Sequence, residues 1–282
     1  MATGLGRQEL RRPPGCHKPE VMQIRLNPVT LITGAGSGIG AGCARELARK
    51  STGGLLLADI DEAALGVVAD ELDAAGVSPE RVSTLAFDVT DIQRWAQAAT
   101  FIQSQYGRLD WAVVNTGAAH SQAPAESDLV DWGRTTSAQL EATIQSLRTI
   151  MPVMAKNSQG GAIVVTTAAA AIKAEPLAPN SPPGLLQVMR AASREAAHSN
   201  VRINAIAPGG ADTPMWNEMP WFQDLVRETG NENAAFDRIA NLPRPLARYA
   251  QGGDVNRLIV MLLAEEAPIT GATLVVDGGG AL

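Results

Sequence analysis

The 282-residue sequence is poor in several residue types, and each shortage excludes a class of protein. Its two cysteines, Cys16 and Cys43, cannot form the disulfide framework of a small secreted domain. Aromatic residues make up 4%, too few for a surface that stacks single-stranded nucleic acid. The formal net charge of −6 also disfavours a nucleic-acid partner. No apolar run reaches the roughly 18–20 residues that span a bilayer. We therefore expect neither a nucleic-acid nor a membrane partner, and a cytoplasmic location.

The first 28 residues differ from the rest of the chain. They are polar, contain the adjacent Pro13 and Pro14, and carry basic residues that no apolar run follows, unlike a secretory signal. We predict an N-terminal extension over residues 1–28 and one domain over residues 29–282. With 45% apolar and 18% charged residues, the chain is able to bury a sizeable core.

From residue 29 onward, short apolar runs alternate with longer segments of helical periodicity. The runs are rich in Val, Ile and Leu without strict alternation, as in strands that are buried on both faces. The pattern predicts a single doubly wound α/β domain, a Rossmann fold with a parallel sheet of about seven strands and helices on both faces. The predicted strands are 29–33, 54–58, 82–87, 111–114, 162–166, 201–207 and 272–276. The predicted helices are about 38–51, 62–75, 91–105, 127–156, 184–198 and 252–264.

The segment 208–250 interrupts this alternation. So long a connection between two strands is usually functional, and often forms a lid over a substrate. Its apolar residues predict either a cover for an apolar or aromatic small-molecule substrate or the ordinary packing of a helix. Those residues are Trp216, Met219, Trp221 and Phe222.

A glycine-rich segment directly follows the first predicted strand and opens the first helix. Glycines there let the backbone approach a pyrophosphate, and the helix N-terminus supplies N–H donors and the positive end of its dipole. The strand–loop–helix context distinguishes a dinucleotide site from an isolated glycine pattern. The candidate cofactor contacts are Gly34, Gly36, Ser37, Gly38, Ile39 and Gly40.

Asp59 ends the second predicted strand, at about the 20-residue separation expected of a ribose-binding carboxylate. Its oxygens would accept hydrogen bonds from both ribose hydroxyls of NAD and would repel a 2′-phosphate. No Arg or Lys stands beside it to bind that phosphate. We therefore predict NAD as the cofactor, with NADH preferred over NADPH. We also predict that Ile60, the residue after Asp59, contacts the cofactor. The alternative is that the glycines only turn the chain and that Asp59 caps the next helix.

Further motifs follow in chain order, and with the glycine turn they resemble the short-chain dehydrogenase/reductase family over about residues 29–280. They are Asp88-Val89, Asn115-Thr116-Gly117-Ala118, Arg202-Ile203-Asn204-Ala205, Pro208-Gly209, Thr270-Gly271 and Val276-Asp277-Gly278-Gly279.

The resemblance implies a nicotinamide-dependent oxidoreductase that interconverts an alcohol and a carbonyl, usually as a homodimer or homotetramer. In that family the pair that corresponds to Asp88-Val89 contacts adenine. A threonine, here Thr213, contacts the nicotinamide carboxamide. The cofactor contacts that the resemblance adds are Asp88, Val89, Asn115, Gly117, Pro208, Gly209 and Thr213.

The catalytic set of that family is missing from this sequence. Its chemistry uses a Tyr-x-x-x-Lys pair, a preceding Ser and an Asn, with the Lys lowering the pKa of the Tyr. Neither of the two tyrosines, Tyr106 and Tyr249, lies at the required place. The Ser position aligns with Ala168 and the Asn position with Gln139.

The positions of the Tyr and Lys depend on the anchor of the alignment. Aligned from the fifth strand, they fall on Ser181 and Leu185; aligned backward from Asn204, they fall on Ala178 and Pro182. Three prolines between residues 179 and 184 predict that this stretch cannot carry the helix start that the family has there.

Three residues are candidates for the missing chemistry. Thr167 could donate the hydrogen bond of the lost Ser, or could bond only to backbone. Gln139 either holds a water molecule or packs. His120, expected at the C-terminal edge of the sheet, could act as acid or base, or could be a solvated loop residue. No cluster of His, Cys, Asp and Glu has metal-ligand spacing, so we predict no metal site.

Three hypotheses remain open. The first is an NAD(H)-dependent oxidoreductase with non-standard catalytic residues. The second is a non-catalytic relative, either a silent subunit of a hetero-oligomer with a catalytic homologue or a protein that binds NAD for sensing or structure. The third is a different reaction on the same fold, such as that of a lyase or isomerase, which no residue pair favours.

Overall fold

The computed structural model describes residues 27–115, 129–169, 183–209, 220–240, 246, 250–264 and 268–280. Strands and helices alternate through most of these residues. The strands are β1 (Thr30–Thr33), β2 (Leu55–Asp59), β3 (Val82–Ala86), β4 (Trp111–Val114), β5 (Gly161–Thr166), β6 (Val201–Pro208) and β7 (Thr273–Val276). The helices are α1 (Gly38–Lys50), α2 (Glu62–Ala74), α3 (Ile92–Tyr106), α4 (Leu129–Met154), α5 (Pro183–Ala196), α6 (Pro220–Thr229), α7 (Glu232–Ala240) and α8 (Gly252–Ala264).

The seven strands form one parallel sheet in the order β3-β2-β1-β4-β5-β6-β7. The order reverses between β1 and β4, because the chain runs outward to β3 and then returns to the other side of β1. In open α/β sheets, ligands bind beside the carboxyl ends of the strands at such a reversal. The predicted doubly wound fold is confirmed, and the reversal fixes where its crevice lies.

The core has two parts, one on each face of the sheet. Leu47, Leu65 and Ile259, from α1, α2 and α8, belong to one buried cluster. Trp95 and Leu147, from α3 and α4, belong to the other cluster, together with α5 side chains. Because helices cover both faces, β1, β4 and β5 are buried at every residue. This explains why their sequences are continuously apolar instead of alternating.

Local signals set the boundaries of the helices that approach the crevice. Asp61 caps α2 by accepting from the Ala64 N–H at 3.0 Å, and Asp91 caps α3 by accepting from the Gln93 N–H at 2.8 Å. Gly107 ends α3 in the left-handed conformation, with φ of 67°. The two caps fix where the helices begin, two residues after the end of β2 for Asp61 and five residues after the end of β3 for Asp91.

The predicted helix over residues 184–198 is confirmed as α5, which begins at Pro183. Most of the stretch that three prolines were predicted to break, residues 179–182, lies outside the described residues. The first residues of a helix donate no intrahelical hydrogen bond, so proline is tolerated there. Pro183 therefore suits the start of α5, and Leu185 lies in its first turn.

The described part of the 208–250 segment forms α6 and α7. Phe222 on α6 is fully buried, which favours ordinary packing for that residue. Trp216 and Met219 lie outside the described residues, as does the side chain of Trp221. No helix in the described ranges is long and apolar enough to cross a membrane.

The Arg202-Ile203-Asn204 motif of β6 fastens the C-terminal part of the chain. The Arg202 guanidinium donates to the Leu262 and Leu263 carbonyls, at 2.9 and 3.1 Å, where α8 ends. The Asn204 amide donates to the Ile269 carbonyl at 2.8 Å and accepts from the Ala272 N–H at 3.1 Å. This motif is structural and brings β7 onto the sheet.

Candidate functional site

The glycine turn joins β1 to α1 at the point where the strand order reverses. Gly34 has a φ of 60°, and a Cβ there would lie 2.2 Å from the Asn115 carbonyl oxygen. A Cβ on Gly40 would lie 1.9 Å from the Gly34 carbonyl oxygen. Ser37 occupies the N-cap of α1, but its side chain caps no backbone N–H. The turn is thus closed so tightly that only glycine fits, and its helix start presents backbone donors to an anion.

Asp59 lies directly against this turn. Its Oδ2 accepts from the Gly36 N–H at 2.9 Å, and its Oδ1 accepts from the Asp61 N–H at 3.1 Å. A Cβ on Gly36 would stand 3.0 Å from Oδ2 and 2.9 Å from the Ala64 Cβ. Asp61 caps α2, so the alternative role of Asp59 as that cap is excluded. Ile60, beside Asp59, is 71% exposed and offers an apolar surface at the same edge.

The loop after β3 lies next to Asp59. The Phe87 N–H donates to the Asp59 carbonyl at 2.9 Å, which holds the two strand ends together. The exposed Asp88 accepts through Oδ1 from the N–H and the hydroxyl of Thr90, both at 2.8 Å. Asp88 and Val89 are therefore placed on the same edge as Asp59.

Asn115 links three parts of the site. Its N–H donates to the Thr33 hydroxyl at 3.0 Å, and its side-chain amide donates to the Gly34 carbonyl at 3.3 Å. Its Oδ1 accepts from the Thr166 hydroxyl at 2.8 Å. The side chain predicted to touch the cofactor thus ties the glycine turn to the end of β5. Sequence reasoning missed Thr33 and Thr166, whose only signal is a hydroxyl at the end of an apolar strand.

Pro208 and Gly209 lie where β6 leaves the sheet. The Pro208 carbonyl accepts from the Ala169 N–H at 2.9 Å, and the Gly209 N–H donates to the Val276 carbonyl at 2.9 Å. A Cβ on Gly209 would lie 2.1 Å from the Cβ of Asp277, so glycine is needed for the strands to close. The exits of β5, β6 and β7 are therefore held in contact at the crevice.

The described catalytic positions hold no ionisable side chain. Leu185 is 3% exposed and belongs to the core beside α3 and α4. Thr167 is partly buried, and its N–H donates to the Ile206 carbonyl at 2.9 Å, which continues the β5–β6 ladder. His120, Ser181, Gly117 and Thr213 lie outside the described residues.

Gln139 is 4% exposed on α4, and its Oε1 has no hydrogen-bond partner among the described residues. Met154, at the other end of α4, packs against Gly161 at the start of β5. Gln139 lies about 22 Å along the helix from Met154 at about 1.5 Å per residue. The six residues of β5 span about 20 Å. Gln139 thus lies far along α4 from the end that packs against the start of β5.

Neither a reactive cysteine nor a metal cluster lies among the described residues. Burial, with the Glu46 carboxylate as a second cause, raises the pKa of the Cys43 thiol far above its usual range. Its Sγ donates to the Asn256 Oδ1 at 3.3 Å inside the α1–α8 contact, so it packs and does not act as a nucleophile. The described residues contain no group of three His, Cys, Asp or Glu able to hold a metal ion.

Comparison with known proteins agrees with this geometry. The model of a family described as enoyl-(acyl carrier protein) reductase matches residues 34–280. The 3-oxoacyl-[acyl-carrier-protein] reductase FabG of Thermotoga maritima is 28% identical over 255 residues, covering 89% of this chain and 96% of that protein.

Two solved structures resemble the chain throughout. Levodione reductase is 25% identical with a TM-score of 0.76, covering 91% of this chain and 99% of that one. L-Sorbose reductase from Gluconobacter frateurii, complexed with NADPH and L-sorbose, has a TM-score of 0.78 at 23% identity, covering 92% and 98%. The second likeness shows the fold alone. From the family match and the shared fold, the chain belongs to the short-chain dehydrogenase/reductase family of oxidoreductases.

Proposed function

We propose that this protein binds NAD(H) in preference to NADP(H) and interconverts an alcohol and a carbonyl with non-standard proton-transfer groups. The observation that carries the proposal is the Asp59 carboxylate, held against the glycine turn by the Gly36 and Asp61 N–H groups. A carboxylate has about four lone-pair positions, so two remain for the ribose hydroxyls. A 2′-phosphate would bring negative charge against this fixed carboxylate.

The fold by itself leaves the choice of cofactor open, since a structural neighbour carries NADPH. What supports NAD here is local: the residue after Asp59 is the exposed Ile60, not a cation that would bind a phosphate. Ile60 offers its apolar side chain to the adenine ring, and the start of α1 offers backbone N–H groups to the pyrophosphate.

When bound, the nicotinamide supplies hydride transfer. The residues of the chain would orient the substrate and handle its proton. Thr167, which directly follows β5, is proposed to donate a hydrogen bond to a carbonyl oxygen of the substrate. Gln139 on α4 has a buried amide oxygen without a partner among the described residues, and we propose that it accepts from a water molecule. His120 is the candidate for proton transfer, because an unperturbed histidine side chain titrates near neutral pH.

A second candidate function is non-catalytic NAD binding, by a sensing or structural protein or by a silent subunit beside a catalytic homologue. It is favoured by Leu185, which aligns with the family's Lys from the fifth strand and is an apolar core side chain, 3% exposed. The oligomeric state, homodimer or homotetramer, stays a prediction under both candidates, and light scattering of the purified protein measures it.

Calorimetric titration with NADH and NADPH tests the cofactor proposal. We expect wild-type protein to bind NADH at least about tenfold more tightly than NADPH. Asp59→Ala should weaken NADH binding about 30-fold, the size of a lost charged hydrogen bond, and narrow the gap to NADPH. The matched control is Asp70→Ala, an exposed carboxylate on α2, which should change neither affinity. Equal wild-type affinities would refute the NAD preference, and no binding would refute the cofactor proposal.

Transfer of deuterium from labelled NADH to a panel of ketones and aldehydes tests the activity. Turnover supports the oxidoreductase, and Thr167→Ala or His120→Ala should then lower the rate with cofactor affinity unchanged. A wide panel with NADH bound and no transfer would establish the non-catalytic candidate instead.

A further inference from the structure

The carbonyls of the loop after β3 are fastened to one turn of α3. The Ala86 carbonyl accepts from the Arg94 guanidinium at 3.0 Å, and the Asp88 carbonyl accepts from the Asp91 N–H at 2.9 Å. The Val89 carbonyl accepts from the indole N–H of Trp95 at 2.8 Å. All three therefore point toward the same helix.

This arrangement directs the N–H groups the other way, because carbonyl and N–H point in opposite directions across a trans peptide bond. The Phe87 N–H, which follows the Ala86 carbonyl, indeed donates to the Asp59 carbonyl at 2.9 Å. The Val89 N–H, which follows the Asp88 carbonyl, donates to no group among the described residues. It is a backbone donor available on the Asp59 side of the loop.

Asp88 completes a recognition pair with this donor. Its Oδ1 is held by the Thr90 N–H and hydroxyl, whereas its Oδ2 accepts from none of the described residues. One carboxylate acceptor beside one backbone donor complements the edge of an adenine ring, which presents an amino donor next to a ring-nitrogen acceptor. The geometry of this pair depends on the peptide between Val89 and Thr90, because the Thr90 N–H that holds the Asp88 Oδ1 belongs to that peptide.

Trp95 is the side chain that holds this peptide, because its indole N–H donates to the Val89 carbonyl. The indole is fully buried, and its ring meets Phe87 edge to face, with centroids 5.2 Å apart and planes at 84°. We infer that Trp95 is a positioning residue for the adenine end of the cofactor, acting through its hydrogen bond to the Val89 carbonyl. This inference rests on the proposed NAD(H) binding and adds a residue that touches neither cofactor nor substrate.

Binding of cofactor fragments tests the inference. ADP-ribose contains the adenine end, and reduced nicotinamide mononucleotide contains only the nicotinamide end. Trp95→Phe keeps an aromatic ring but removes the N–H, and should weaken ADP-ribose and NADH binding about five- to tenfold, the size of a lost hydrogen bond. Binding of the mononucleotide should be unchanged. A merely structural role would weaken both fragments together or neither of them.

The matched control is Trp111→Phe. Trp111 is 4% exposed in β4, and none of the described residues accepts a hydrogen bond from its indole. The same truncation there should leave ADP-ribose binding at the wild-type value. If Trp95→Phe fails to fold, benzothienylalanine at position 95 preserves the bicyclic shape and replaces the N–H with sulfur. An unchanged ADP-ribose affinity in the folded variant overturns the inference, whereas wild-type protein that binds no NADH overturns the cofactor proposal itself.

Discussion

Two regions of the same sheet edge differ in what their residues can do. Around β1, β2 and β3 the site consists of backbone donors and a carboxylate, fixed by contacts such as Gly36 to Asp59. Around β5, α4 and α5, the residues predicted to align with the family's catalytic positions are Ala168, Gln139 and Leu185, which are not ionisable. Cofactor binding and proton transfer thus depend on separate sets of residues, and the sequence predicts the first set without the second.

The difference follows from the physical demands of the two tasks. A pyrophosphate is bound by backbone geometry, which requires glycine at positions where any Cβ would collide. Proton transfer requires a side chain whose pKa is tuned by its neighbours. The packing of the first region therefore restricts its sequence, whereas a leucine such as Leu185 satisfies the packing of the second.

The largest effect is expected from Gly40→Ala, a substitution in the glycine turn of the first region. A Cβ there would lie 1.9 Å from the Gly34 carbonyl oxygen, so the turn and α1 must move apart. We expect unfolding free energy to fall by about 4–5 kcal/mol, at the upper end for a single substitution. NADH binding should be lost, as measured by calorimetry on the folded fraction.

The control for this prediction is Gly66→Ala, on the exposed side of α2. A Cβ at Gly66 meets no atom within 4 Å. Alanine is the better helix former, so this variant should gain about 1 kcal/mol in urea unfolding and keep its cofactor affinity. A Gly40→Ala protein as stable as wild type would show that the turn is not closed as described.

The next largest effect is expected from Leu185→Lys. This substitution introduces a lysine at the position that aligns with the family's Lys from the fifth strand. Leu185 is 3% exposed, so the ammonium would be buried without a partner. We expect a loss of about 3–5 kcal/mol in urea unfolding and no gain in turnover. The control Leu185→Met should cost less than about 1.5 kcal/mol. A stable Leu185→Lys protein with new activity would contradict the view that the packing of the second region excludes an ionisable side chain.

The sequence predicted the first region better than the second, for physical reasons. Apolar runs and the glycine pattern are local signals, and both the strands and the doubly wound sheet are confirmed. The bond between Thr166 and Asn115 joins distant parts of the chain, so no local signal could indicate it. The start of α5 was predicted to within one residue, because proline suits the first turn of a helix.

Gln139 shows the same limit of prediction from sequence, because its residue type does not indicate whether its amide has a hydrogen-bond partner. The smallest effect is expected from Gln139→Leu. Its Oε1 is buried without a partner among the described residues, so an apolar side chain of similar size removes an unsatisfied acceptor. We expect unfolding free energy to rise by about 1 kcal/mol in cofactor-free protein.

Asn204→Leu is the matched control, since the Asn204 amide is equally buried but is bonded at both ends, to Ile269 and Ala272. It should lose at least about 2 kcal/mol in the same urea titration, because two buried backbone groups would be left unpaired. A gain for Gln139→Leu beside a loss for Asn204→Leu means that the Gln139 oxygen is unsatisfied and free to accept from a ligand. A loss in both variants means that Gln139 already holds a water molecule, which would give the second region a bound group able to relay a proton.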